Sequence, residues 1–332
     1  LRDNPANCLK CRTHTNIGAC ITRREAPMTR ILTSLILLFT LLTGPVRAEM
    51  TVTQITADSF ALVGPTSNRS PENLGNNSTH GLIVTSKGAI LIDAGGSYQG
   101  AQAIHTLIRS LTDQPVKFVI NTGGQDHRWI GNSYWKEQGA TIIASADAVA
   151  DQTARASMQQ TALTALIGAD KLSGTTPAYA DITFDERYDL SLGDTTLHLS
   201  HVAAAHTPGD TFVWHPAAKT VFTGDIVYIR RILGVMEFSS GATWLDAFDA
   251  LAALHPDHVV PGHGPVTDLA TATRDTRDYL DNLRSKMRDY IDEGGDIIGS
   301  VDVDQSAFAY LENFDTLARR NAQEMFSQME WE

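Results

Sequence analysis

The chain has 332 residues, 42% of them hydrophobic, with a net charge of −12 and three cysteines. That apolar content supports a sizeable core in one large domain. The net acidity argues against nucleic acid as the main partner, because phosphate backbones are bound through basic patches.

Met28-Thr29-Arg30 opens a segment with export character. An apolar run from Ile31 to Leu42 follows, then a break at Gly44-Pro45 and the sequence Val46-Arg47-Ala48. A charged start, a short apolar stretch and a small-x-small site are the pattern of a secretory signal peptide. A membrane span would need roughly 20 apolar residues, and this run is shorter. The pattern predicts a signal peptide over 28–48, cut near Ala48-Glu49, and an upstream or non-native segment over 1–27. The mature chain, 49–332, is expected in the periplasm, with no membrane attachment once the signal is removed. Cys8, Cys11 and Cys20 all fall upstream. Cys8 and Cys11 form a single CxxC pair, which alone assigns no metal or redox site. Any metal site of the mature chain must therefore use histidine and carboxylate.

Along the mature chain, β-like runs come first, from Thr51 to Thr56 and from Phe60 to Val63. Gly81 to Thr85 and Ala89 to Asp93 follow, separated by the turn Ser86-Lys87-Gly88. The spacing of Ala101, Ile104, Leu107 and Ile108 predicts a helix over Gln99 to Leu111, with His105 on its solvated side. Lys117 to Asn121 reads as a buried strand, with Thr122 to His127 a loop after it. A helix-strand unit runs to Ile143, and a helix covers Ala146 to Ile167. Strands are then predicted near Ile182-Phe184, Tyr188-Leu190, Thr196-Ser200, Thr211-Trp214 and Thr220-Thr223. A helix over Trp244 to Leu254 precedes the short strand Val259-Val260. From Ala270 to Glu332 the chain reads as mostly helical, with a break at Gly294-Gly295. Two β-rich halves, each flanked by helices, predict two sheets packed between helical layers.

Four short motifs stand at strand ends: Asp126-His127, His206-Thr207-Pro208-Gly209-Asp210, Thr223-Gly224-Asp225 and Pro261-Gly262-His263-Gly264. Each presents histidine or aspartate from a turn, where a rigid scaffold can aim a ligand. Imidazole and carboxylate suit zinc at about 2.0–2.2 Å. Singly, each motif reads equally well as a turn; their joint order is the signal.

In that order the motifs resemble the metallo-β-lactamase superfamily over essentially the whole mature length. Asn76 to Gly95 is similar to the family's opening hairpin. The family's signature loop reads His-x-His-x-Asp-His. Here Asn121-Thr122-Gly123-Gly124-Gln125-Asp126-His127 keeps the last two residues; with no gap, Thr122 and Gly124 stand where the first two histidines would, and the alternative is a stretch one residue short. A closer resemblance is to the exported zinc metallohydrolases of quinoprotein relay systems and their sulfur-oxidation-associated relatives. It rests on Asp225-Ile226-Val227-Tyr228, Arg231-Ile232-Leu233-Gly234, Trp244-Leu245, Val260-Pro261-Gly262-His263-Gly264 and the ending Arg320-Asn321 to Glu330-Trp331-Glu332.

The resemblance implies an α/β protein, the four-layer αββα sandwich. It implies that of the first metal site only His206 remains, whereas the second keeps Asp126, His127 and His263, with Asp225 as bridging carboxylate. One zinc is expected and a second weak or absent; iron suits the same ligand types. The implied activity is hydrolysis of an ester, thioester or amide/lactam bond in a small molecule. Zinc lowers the pKa of a bound water toward about 7, with Asp126 or His206 orienting that water or taking its proton. The alternative is a catalytically degenerate binding or accessory protein of an exported oxidation pathway, since fold alone does not decide function. His80 and Gln125 are candidates to supply a missing ligand, with a surface or pocket-lining polar role as the plainer reading; His198 and His201 read as structural, and His255 and His258 as turn residues. Trp129, Trp135 and Trp244 read as core.

Overall fold

The computed structural model describes residues 50–332. The upstream segment, the expected signal peptide and all three cysteines lie outside the described residues. Strands β1 (Thr51–Gln54), β2 (Ser59–Val63), β3 (Thr79–Thr85) and β4 (Gly88–Ile92) pair antiparallel in chain order. Their side chains alternate as a two-residue period demands. Leu82, Ala89 and Leu91 pack toward helices, while Ile83, Ile90 and Ile92 pack toward the second sheet.

Helix α1 (Tyr98–Leu111) starts at Ser97, whose side chain accepts a hydrogen bond from the Gly100 amide and so satisfies one orphan donor of the first turn. It buries Ala101, Ile104 and Ile108 and returns the chain to β5 (Val116–Asn121), parallel to β4, as a helical crossover requires. Short helices α2 (Asp126–Trp129) and α3 (Asn132–Glu137) lead to β6 (Thr141–Ser145). Helix α4 (Ala146–Ile167) leads to β7 (Ile182–Phe184), which closes the seven-stranded sheet.

The second sheet runs β12-β11-β10-β9-β8, built from β8 (Arg187–Leu192), β9 (Thr195–Ser200), β10 (Phe212–His215), β11 (Thr220–Phe222) and β12 (His258–Val260). Only β11 and β12 pair parallel, with α5 (Gly241–Ala252) in their connection. Leu197, Leu199, Val213, Phe222 and Val260 meet Ile83, Ile90, Ile92, Ile120 and Ile143 of the first sheet. Phe212, Val221 and Val259 point the other way. They pack with α5 and, past α6 (Leu269–Ala272), with α7 (Asp278–Asp292) and, past α8 (Ile297–Ser300), with α9 (Phe314–Met329). Helix, sheet, sheet, helix is the four-layer order expected from the sequence. All three of Trp129, Trp135 and Trp244 are buried. Among the described residues no helix is long and apolar enough to cross a membrane.

Three local readings need correction. Asp126 and His127 do not end a loop but begin α2, because the Arg128 amide bonds Gln125 O at 2.8 Å and the Ile130 amide bonds Asp126 O at 3.0 Å. His105 is not solvated: it is half-buried and its Nδ1 lies 2.6 Å from the Tyr134 hydroxyl. The stretch 301–313 carries only a short 3₁₀ turn at Ser306–Phe308. It pairs instead with the loop after Asp225, through Glu312 N to Arg230 O at 2.7 Å and Ile232 N to Glu312 O at 2.9 Å.

Candidate metal centre

The functional edge is where β5, β11 and β12 end. The Thr79 amide donates to Gly262 O at 2.8 Å and so ties the two sheets there. Asp225 leaves β11 through Gly224, whose φ of +51° is left-handed, and a Cβ at that position would collide with the Thr122 hydroxyl. Glycine meets both demands.

His127, Asp225 and His263 converge, with one ligand atom from each inside a 4.8 Å sphere of mutual distance. His127 Nε2 lies 3.3 Å from Asp225 Oδ2, and His263 Nε2 lies 3.2 Å from Asp225 Oδ1. The two imidazoles meet edge to face at 4.9 Å. His263 Nδ1–H donates to Asn77 O at 2.9 Å, which turns its Nε2 inward. Such an outer-shell bond fixes the tautomer a metal ligand needs. Tyr228 stacks on the His263 ring at 4.8 Å and limits its rotation.

Behind the cluster lies a residue that motif reasoning passed over. Arg128 is fully buried. It donates to both oxygens of Asp225 (2.6 and 3.1 Å), to Asp93 Oδ2 (2.7 Å) and to Gly262 O (3.0 Å). Burial alone would raise the Asp225 carboxyl; Arg128 and His127 overcome that and hold it well below the usual carboxylate range. Asp225 is thus kept ionised and fixed in place.

Asp126 stands beside this cluster rather than within it. Its carboxylate pairs with Arg69, which donates through Nε at 3.0 Å and also through Nη2. His127 Nδ1 lies 3.1 Å from the same oxygen. Arg69 Nη2 lies 2.9 Å from the same nitrogen, and only in the tautomer that leaves Nε2 free would Nδ1–H donate to Asp126. Burial opposes the ionised form, but Arg69 and His127 hold the Asp126 carboxyl far below its ordinary value. His206 donates from Nδ1 to Gly234 O at 3.0 Å and shares a cavity of about 240 Å³ with His127 and His263. Burial lowers its pKa to about 4, against the pull of Asp225, so at neutral pH it is an uncharged imidazole. The structure therefore brings His127, Asp225 and His263 together, sets Asp126 against Arg69, and places His206 on the cavity wall.

The sequence profile of the Metallo-beta-lactamase superfamily matches residues 75–263, more than half of the chain. The chain belongs to that superfamily. Solved structures share its fold. The metallo-beta-lactamase from Pontibacter korlensis is 22% identical, aligns over 70% of this chain and 100% of its own, and gives a TM-score of 0.56. The DIM-1 metallo-beta-lactamase is 17% identical over 68% of this chain and 94% of its own, with a TM-score of 0.51. The stereoselective inverting sec-alkylsulfatase Pisa1 from Pseudomonas sp. is 13% identical over 84% of this chain and 50% of its own, with a TM-score of 0.68. At such identities the likeness is one of fold.

Metallo-beta-lactamase superfamily proteins typically bind zinc, and this cluster fits that ion. His127 Nε2 is buried with no hydrogen-bond partner, an arrangement that costs stability unless something accepts its lone pair. The first-site positions do not fit a second ion. The Thr122 hydroxyl donates to Asp93 Oδ1 at 2.8 Å, and Gly124 carries no side chain. His80 is not a substitute ligand: its Nδ1–H donates to Asp93 O at 3.0 Å and its Nε2 accepts from Ser78 at 3.1 Å. Gln125 lines the cavity, with Oε1 buried and unpartnered.

His80 also sets a pH dependence. Burial, aided by the Arg128 charge, lowers its pKa to about 3. The fold thus holds it neutral, whereas the unfolded chain binds a proton near pH 6.5. Its stabilisation is present above pH 6.5 and is lost as pH falls toward 3, by about 2 kcal/mol at pH 5. The melting temperature should therefore drop between pH 7 and pH 5, and His80→Asn should make the drop shallower. Parallel slopes would show that His80 binds its proton equally in both states.

Proposed function

We propose that this protein is a metal-dependent hydrolase that holds one zinc on His127, His263 and Asp225, with Asp126, paired to Arg69, supporting His127 from behind. The observation that carries the reading is the convergence of two Nε2 atoms on a carboxylate fixed by a buried arginine. Bound there, a divalent cation supplies a nucleophile from water at neutral pH and draws electron density from the scissile bond.

The chain's own groups do the rest. Arg128 holds Asp225, and Asn77 O holds His263, so the ligands need no reorganisation. His206 presents its free Nε2 toward the cavity. With a pKa of about 4 it orients a water by accepting a hydrogen bond and does not store the proton. The substrate is an ester, thioester, lactam or sulfate ester of a small molecule. The sulfate ester joins this set because the sec-alkylsulfatase shares the fold over 84% of the chain. Within this reading the protein is exported to the periplasm, in the manner of the zinc metallohydrolases of quinoprotein relay systems. The support is the signal-like pattern over 28–48 and the segments Asp225 to Tyr228 and Arg231 to Gly234.

Elemental analysis of residues 49–332, paired with a screen of those four bond types, tests the reading. One zinc per chain with turnover is expected. His263→Ala should lose zinc by more than the about 10–100-fold that outer-shell changes cost. Full zinc occupancy in that variant would overturn the ligand assignment, and one zinc without turnover would make the chain a binding protein.

A further inference from the structure

The cavity beside the cluster is more basic than the chain that encloses it. Net charge is −12, yet Arg69, Arg231 and Arg320 all line this space along with His127, His206 and His263. Arg69 is committed to Asp126. The other two are not: among the described residues, no ion pair joins Arg231 or Arg320 to a carboxylate.

Arg231 is the more telling. Its Nε is buried and has no hydrogen-bond partner. Its Nη1 comes within 3.5 Å of His263 Nδ1. That nitrogen already donates its proton to Asn77 O, so the approach is donor to donor and satisfies neither group. The nearby acid, Glu312, accepts instead from the Thr66 hydroxyl. A half-buried guanidinium left this way is costly, and the cost is relieved when an anion binds. Planar guanidinium groups match carboxylate and sulfate oxygens in paired hydrogen bonds. Arg320 approaches the same space from α9.

We infer that the substrate carries an oxyanion, a carboxylate or a sulfate, that docks between Arg231 and Arg320 while the bond to be cleaved faces His127 and His263. This specificity rests on the hydrolase reading of the same cavity.

Calorimetric titration of the zinc-loaded protein tests it, with phenylacetate, phenyl sulfate and neutral phenylacetamide as probes. At least one anion should bind about tenfold or more tightly than the amide, as charge-assisted hydrogen bonds imply; which anion wins identifies the group. Arg231→Met and Arg320→Met should each remove most of that preference at unchanged zinc content, and Arg231→Lys should keep part of it. Arg320 is exposed, so its variant remains informative if Arg231→Met fails to fold. Equal binding of all three probes, failure of both anions to bind, or a preference that survives both substitutions overturns the inference. One zinc and turnover without charge preference would remove the anion seat and leave the hydrolase; charge preference in a chain that takes no zinc would do the reverse.

Discussion

Arg128→Met should lower the melting temperature by roughly 10 °C, an effect of about 3–5 kcal/mol. The guanidinium is the only cation touching both Asp93 and Asp225 among the described residues, and all three are buried. Methionine fills much of the volume, so the loss is electrostatic rather than a cavity. Two buried carboxylates would lose the counter-charge they share. The pH dependence follows from Asp225. Its folded-state pKa is depressed, so its contribution is present above the ordinary carboxylate value and lost as pH falls below it. At pH 7 wild type has all of it, whereas the variant should gain stability as pH is lowered toward the carboxylate range. Asp93→Asn in the Arg128→Met background should recover part of the loss, because one buried charge goes with it. Thermal unfolding followed by circular dichroism measures each difference. A melting temperature within 2 °C of wild type would mean that the ion pairs contribute no net stability.

Arg128 also shows where sequence reading stops. The layers of this fold were legible because they follow from alternation. Ile90 and Ile92 against Ala89 and Leu91 predict two buried faces, and the Ala101, Ile104 and Ile108 spacing predicts a helix. The ligand types were legible because His127, Asp225 and His263 follow strand ends in motifs that turn chemistry favours. What joins them was not. Arg128 follows a motif histidine as any surface arginine might, and its partners lie 35 and 97 residues away. Asp126 is paired with Arg69, 57 residues upstream, in a segment that shows no periodic signal. Helix α4 is a clearer case. Its polar residues Asp151, Gln152 and Gln159 carry no sequence signal that sets them apart, yet all are buried. Gln152 donates to Gly123 O at 3.0 Å, and Gln159 donates to Gly124 O at 2.8 Å. They clamp the backbone of the signature loop, and only the fold brings α4 to it.

That clamp predicts the outcome of restoring the missing histidines. Gly124→His together with Thr122→His should destabilise the protein and still bind one zinc. A Cβ at position 124 would overlap the Asp151 carboxylate, whose position is fixed by its ion pair with Arg155. Arg155 in turn lies 3.8 Å over the Phe238 ring, and Phe238 meets His206 edge to face at 6.1 Å. The Asp151 carboxylate thus occupies space a first-site histidine would need, and Arg155 holds it there. Thr122 is no freer: its amide and hydroxyl both bind Asp93, and Gly224 packs on it. Overpacking of this kind costs about 1–3 kcal/mol for each substitution. Adding Asp151→Ala and Arg155→Ala removes both obstacles while His206 keeps its Nδ1–H on Gly234 O and its Nε2 free. The quadruple variant should therefore move from one toward two zinc ions per chain, read by elemental analysis, and should recover part of the lost melting temperature. Two zinc ions in the double histidine variant at wild-type stability would show that the loop closed over its first site for some reason other than the Asp151–Arg155 pair.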